Sequence, residues 1–201
     1  MSDGPAVIGI AAHNGWGELV VVGVRDGVPS VLDRRRVVLV DSSLPDNPYH
    51  HEALGMSLPD GEVLVGRVKQ DVAQRALAAL ADLQSQHAAI AIVLQQSPFN
   101  RLPETLADVL RSWPLTCAAD GMMYREALAE AGAALGMKVI RYPRKTDEAQ
   151  MAASRLGIEP GEIMLWARDE GRRIGVPWHK EHRNAAIAAV TELGQHAGFT
   201  M

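Results

Sequence analysis

The last apolar-periodic stretch of the chain opens with two histidines three residues apart, His179 and His182. Residues at that spacing are neighbours on one face of a helix. His182 also shares a face with Ala186, Ala189, Val190 and Leu193, so it is expected to point inward. The positive end of the helix dipole disfavours an imidazolium there, and both rings are expected to be neutral near pH 7. Neutral imidazole is the form that ligates a transition metal or accepts a proton. With His13, which follows the first apolar run, they make a candidate three-ligand metal site: His13, His179 and His182. His50 or His51, in the polar cluster Tyr49-His50-His51-Glu52, is the alternative third ligand. No recognised zinc spacing accompanies them. The competing reading is an inward, satisfied His182 and a solvated His179.

A second group of residues gathers if the chain forms an open α/β sheet, because ligands bind outside the carboxyl ends of its parallel strands. His13 and Asn14 follow the first strand, and Gln95, Gln96 and Ser97 follow the fourth. Asp120 follows a run at Cys117, and Arg141, Arg144 and Lys145 surround the last strand. Candidate catalytic residues are His13, Asp120 and His182. Candidate ligand-binding residues are Asn14, Gln95, Gln96, Arg144 and Lys145. Arg144-Lys145-Thr146 precedes a helix start at Asp147, and helix N-termini bind phosphate through free amides. The alternative is that these cations simply pair with Asp147 or Glu148. Trp16, in a glycine-flanked turn, is the tryptophan placed to stack on a base. Trp113, Trp166 and Trp178 read as packing residues, and Arg34-Arg35-Arg36 as a solvated strand edge that blocks unwanted pairing.

The elements that must position these groups follow from pattern. Three valine-rich strands, Val7–Ala12, Glu18–Val24 and Val31–Val40, are separated by Asn-Gly and Asp-Gly turns, which predicts an antiparallel meander. A long connection follows at about 41–60, with a short helix over Glu52–Met56. Val65, Val68, Val72, Ala76, Leu80 and Leu83 then mark one face of a helix ending near His87. Ala88–Leu94 is apolar throughout, the pattern of a parallel strand buried on both faces. Helices are expected at Pro103–Ser112, Met122–Leu135, Asp147–Leu156, Gly161–Arg172 and His179–Gln195. Strands are expected at Leu115–Ala119, with Cys117 as a small buried hydrophobe, and at Met137–Tyr142. The fold class is mixed α/β: three antiparallel strands, then parallel strands alternating with helices.

Composition sets outer bounds. The 201 residues are 47% hydrophobic and 22% charged, ordinary values for one globular domain, here 1–201 with an insertion at about 41–60. No apolar run approaches the ~20 residues of a membrane span. Met1–Pro5 lacks the basic and apolar regions of a signal peptide. A single cysteine excludes an intramolecular disulfide and a CxxC metal site, and a reducing cytoplasm is the expected location. The formal net charge of −4 disfavours strong non-specific nucleic-acid binding but leaves room for a local basic groove.

The element order, the opening Ile8-Gly9-Ile10 and the closing His182-Arg183-Asn184-Ala185-Ala186-Ile187-Ala188 resemble the ribonuclease H-like fold of RuvC-type Holliday-junction resolvases, over most of the chain. The resemblance implies two divalent cations held by four carboxylates, one of them directly after the first strand. That position is Ala11 here. The carboxylate expected in or after the long helix or fourth strand is met by Gln95-Gln96-Ser97, and the last-helix acid by Asn184-Ala185. Hard cations need oxygen ligands; alanine offers none, and amides are weak neutral ones. The resemblance therefore implies a nucleic-acid-binding or nucleotide-binding protein with weak or absent metal-dependent nuclease activity. Two alternatives stay open: a hydrolase with a histidine-centred metal site, and a non-catalytic interaction or structural module, as a homodimer or complex subunit.

Overall fold

The N-terminal meander is built as its turns dictate: β1 (Ala6–Ala12), β2 (Trp16–Arg25) and β3 (Val28–Val38) pair antiparallel in sequence. At the second turn both Asp26 and Gly27 take positive φ, the conformation whose twist matches the flanking strands. The computed structural model describes residues 4–196; Met1–Asp3, part of the stretch expected to be no signal peptide, lies outside the described residues. β4 (Ala89–Gln95) pairs parallel with β1, and β5 (Lys138–Tyr142) parallel with β4, giving one sheet in the order β3-β2-β1-β4-β5.

Helices cover both faces. Ala6, Ile8 and Ile10 point into a core shared with α1 (Leu58–His87) and α3 (Trp113–Ala134). Val7, between them in sequence, enters a second core with α4 (Glu148–Leu156), α5 (Pro160–Ile174) and α6 (Lys180–Leu193), as the two-residue period of a strand requires. The predicted face of α1 is the buried one, from Val65 to Leu83. The helix begins earlier than its periodic stripe, at Leu58, where the Ser57 hydroxyl accepts from the Asp60 amide. None of the described helices is long and apolar enough to cross a membrane.

Three sequence expectations change. Leu115–Ala119 is not a strand. It belongs to α3, continuous with the helix expected from Met122, and Cys117 is exposed. Pro114 sits in the first turn of α3, where its missing N–H costs nothing, and no breaker separates it from Asp120. The helix expected over Pro103–Ser112 contracts to α2 (Leu106–Leu110), started by the Thr105 cap. The short helix expected over Glu52–Met56 starts earlier and divides in two, a π turn (Pro48–Glu52) and a 3₁₀ turn (Ala53–Gly55).

Arg34, Arg35 and Arg36 do lie on the edge strand, but each has a protein partner. The Arg34 guanidinium donates to the carbonyls of Gly175, Val176 and Pro177, satisfying groups just past the end of α5. Arg35 pairs with Asp33 and Asp82.

Among the described glycines, the closest approach of a neighbour is at Gly9. A Cβ added there would overlap the Ala185 carbonyl, because the α6 backbone lies directly on β1. Ala185, Ala186, Ala188 and Ala189 on α6 are small enough to permit this approach. Gly9→Ala is therefore expected to cost about 3 kcal/mol, seen as a Tm lowered by roughly 10 °C in thermal unfolding followed by circular dichroism. An unchanged Tm would show that α6 can lift without loss.

Candidate functional site

The carboxyl ends of β1, β4 and β5 open into a polar cleft of about 240 Å³. His13 reaches it from the end of β1, Gln95 from β4 and Tyr142 from β5. Arg125 enters from α3 and Glu148 from α4. The first turn of α6 closes it with Lys180, Glu181 and Asn184. The sequence placed His13 and Gln95 correctly at strand ends. It missed Arg125, Tyr142, Glu148, Lys180 and Glu181. For Glu181 a signal existed: it stands three residues before Asn184, on the same helix face.

His13 is held by its neighbours. Its ring stacks on Trp16 with centroids 4.0 Å apart and planes 12° apart. The Arg36 guanidinium also lies 4.0 Å from the Trp16 ring centre. With the His13 ring and the Arg36 guanidinium both against it, the Trp16 indole is already engaged by neighbours of its own chain. Burial pushes the His13 imidazole below its ordinary value; Glu181 pulls it up and Arg125 pushes it down again.

Arg36 passes the contact inward. Its Nε and one terminal nitrogen donate to Glu18 Oε1 at 2.8 and 2.6 Å. Glu18 is only 2% exposed, and so is His182, whose Nε2 lies 3.1 Å from Glu18 Oε2. That approach is off the line of a hydrogen bond: Oε2 is a buried oxygen with no well-directed donor. His182 Nδ1 accepts from the His179 backbone N–H at 3.1 Å, capping α6. One ring nitrogen is thus bonded and the other faces a buried carboxylate, so neither is open to a ligand or substrate. Burial pushes the His182 imidazole down; Glu18 opposes this, while Arg34 and His179 reinforce it.

The remaining expectations resolve as follows. Asp120 is not at a strand end and does not line the cleft. Buried on α3, its carboxylate accepts from the Tyr49 and His50 amides at 2.9 and 3.2 Å and so fastens the 41–60 segment. Asn14 turns to the same segment, donating to Asn47 Oδ1 at 2.5 Å. Gln96 is exposed, and its amide continues the β4–β5 ladder by donating to the Tyr142 carbonyl. Arg141 pairs with Glu126 at 2.7 Å. Arg144 and Lys145 are exposed before α4 and pair with neither Asp147 nor Glu148 among the described residues. The α4 amides of Ala149 and Gln150 are already taken by the Asp147 carboxylate, so no free helix terminus awaits a phosphate there.

The cleft does not fit the two divalent cations that the resemblance implies. Its carboxylates are Glu148 and Glu181; Gln95 and Asn184 are neutral, and Arg125 and Lys180 put positive charge in the same wall. Nor do the histidines make a metal site. Among the described residues no three or more His, Cys, Asp or Glu side chains are grouped to hold an ion. A larger concavity, about 830 Å³, lies between α5 and the start of α6. It is lined mainly by apolar Met164, Leu165, Val176 and Trp178, and it contains none of the expected site residues.

A five-stranded mixed sheet of this order, helices on both faces and a cleft at the ends of β1 and β4, defines a ribonuclease H-like fold of the RuvC type. Among solved structures, RuvC from Thermus thermophilus is similar over 96% of this chain and 97% of that one, with a TM-score of 0.57 and 15% identity. T. thermophilus RuvC in complex with a Holliday junction substrate is similar over 97% of each chain, with a TM-score of 0.56 and 16% identity. No family model and no curated protein matches the sequence.

The state of His182 has a measurable consequence. Its pKa is lower folded than unfolded, so the unfolded chain binds the extra proton first. Stability is then full above the unfolded value near 6.5 and falls as pH drops below it. Urea midpoints measured between about pH 7.5 and pH 5.5 are expected to decline, and His182→Gln is expected to flatten that decline, leaving the share due to His13. An equally steep decline in the variant would assign it to other groups.

Proposed function

We propose that the protein binds structured nucleic acid at the cleft-bearing edge of its sheet and does not cleave it by a metal-dependent route. The observation that carries this reading is the exchange of charge in the cleft. Where the fold's resolvases are expected to gather carboxylates, this chain has Ala11, Gln95 and Asn184, and the two carboxylates that remain in the cleft, Glu148 and Glu181, share its wall with Arg125 and Lys180. A cleft so lined suits a phosphate backbone better than a pair of hard cations. The full-length likeness to a protein held in complex with a Holliday junction supports a branched duplex as the first substrate to test. The net charge of −4 is compatible with this, since Arg144, Lys145 and Lys180 are exposed near one edge.

The test is fluorescence anisotropy with a labelled four-way DNA junction, beside linear duplex of the same length. Junction binding is expected to be preferred, and to weaken about tenfold or more from about 50 to about 200 mM salt. With Mg²⁺ or Mn²⁺ added, the junction is expected to stay intact on denaturing gels. Turnover on the order of 10 per second would overturn the second half of the reading. Equal, salt-insensitive affinity for both DNAs would overturn the first.

A further inference from the structure

Arg125 is a half-buried cation whose only hydrogen bond among the described residues goes to a carbonyl of its own helix, Gly121 O at 2.9 Å. A guanidinium has five N–H donors in a planar fork, and a buried one without a carboxylate is costly. The adjacent acid, Glu126, favours the cation by its charge but makes no hydrogen bond to it, being bound by Arg141 at 3.0 and 2.7 Å and by Ser97 at 2.8 Å. Burial depresses the Arg125 pKa and Arg144 adds to the depression, so a second cation faces it. The helix is shaped around the guanidinium. A Cβ at Gly121 would come within 2.9 Å of the Arg125 Nη1 and 3.4 Å of Asn14 Oδ1.

We propose that Arg125 is the seat of a single phosphodiester group, held directly by the guanidinium in the cleft at the carboxyl ends of β1, β4 and β5. This rests on the nucleic-acid reading and narrows it to one contact. The forked donors of Arg125 match two phosphate oxygens. Gln95 and Asn184 offer neutral amide donors in the same cleft, and Lys180 adds charge at its rim. Glu148 and Glu181 set the class of anion. Two carboxylates in the wall repel a dianion such as free orthophosphate, and tolerate a diester carrying one charge. The cleft volume of about 240 Å³ admits the diester with part of one sugar and excludes a stacked base pair.

Two measurements test this, and their failures are distinguishable. The first uses the full chain and the four-way junction in EDTA. Arg125→Gln is expected to weaken binding about tenfold at about 0.1 M salt and to reduce the slope of log affinity against log salt by about 1, the signature of one lost phosphate contact. Arg125→Lys is expected to restore the slope while recovering only part of the affinity. An unchanged slope in Arg125→Gln, with junction binding intact, overturns the Arg125 site and leaves the nucleic-acid reading standing. The second measurement needs no nucleic acid. The wild-type chain, ¹⁵N-labelled, is titrated with dimethyl phosphate while the arginine Nε–H resonance absent from Arg125→Lys is followed. A saturable shift without divalent metal, larger than the shift with orthophosphate, is expected. A resonance that does not move, or moves only after Mg²⁺ is added, overturns the proposal even if the junction binds.

Discussion

The contact of two backbones, β1 at Gly9 and α6 at Ala185, sets the dimensions of the molecule. It brings α6 down onto the middle of the sheet, and this places the first turn of α6 over the carboxyl ends of β1 and β4. Lys180, Glu181 and Asn184 thereby become cleft walls, and His182 is driven into the space beside Glu18. The alanine face of the helix serves the same end, since any larger side chain would hold α6 away and open the cleft. Packing and site are one constraint here, written in small residues.

The electrostatics follow from that seating. Glu18 in the interior of β2 is met from two directions: Arg36 donates to Oε1 from the neighbouring strand, and the His182 ring lies beside Oε2 from the helix. Arg36 in turn packs on Trp16, and Trp16 on His13. A continuous line of side chains thus runs from a buried carboxylate to the mouth of the cleft. In that line the histidines orient and support rather than ligate. The chemistry left to the cleft is carried by Arg125, by two amides and by two carboxylates, a set suited to holding an anion with polar neighbours.

Much of the fold was legible because burial on one side imprints a period. The α1 stripe from Val65 to Leu83 and the turns of the meander could be read directly. Leu115–Ala119 could not, because a short apolar run looks alike as a buried strand or as part of a helix, and only neighbours in space decide. The same limit shaped the site. His13 and Gln95 were legible from their places at strand ends. The role of His182 depended on Glu18, and that of Asp120 on the amides of Tyr49 and His50, partners far away in sequence. Arg125 lay within the helix expected over Met122–Leu135, but nothing in the sequence ties that helix to the strand ends, so its place in the cleft was not legible.

The sheet's second face has a history during synthesis. Val7, Val20, Val22 and Val31 on the meander are covered by residues of α5 and α6, and Arg34 reaches 141 residues along the chain to the Gly175 carbonyl. The first strands to emerge from a ribosome therefore wait for the last helices before one of their faces is dry. Contacts of such long sequence separation slow folding and prolong the exposure of apolar strand surface. A nascent chain halted before α6 would present a valine-rich sheet face to its surroundings until the chain is nearly complete.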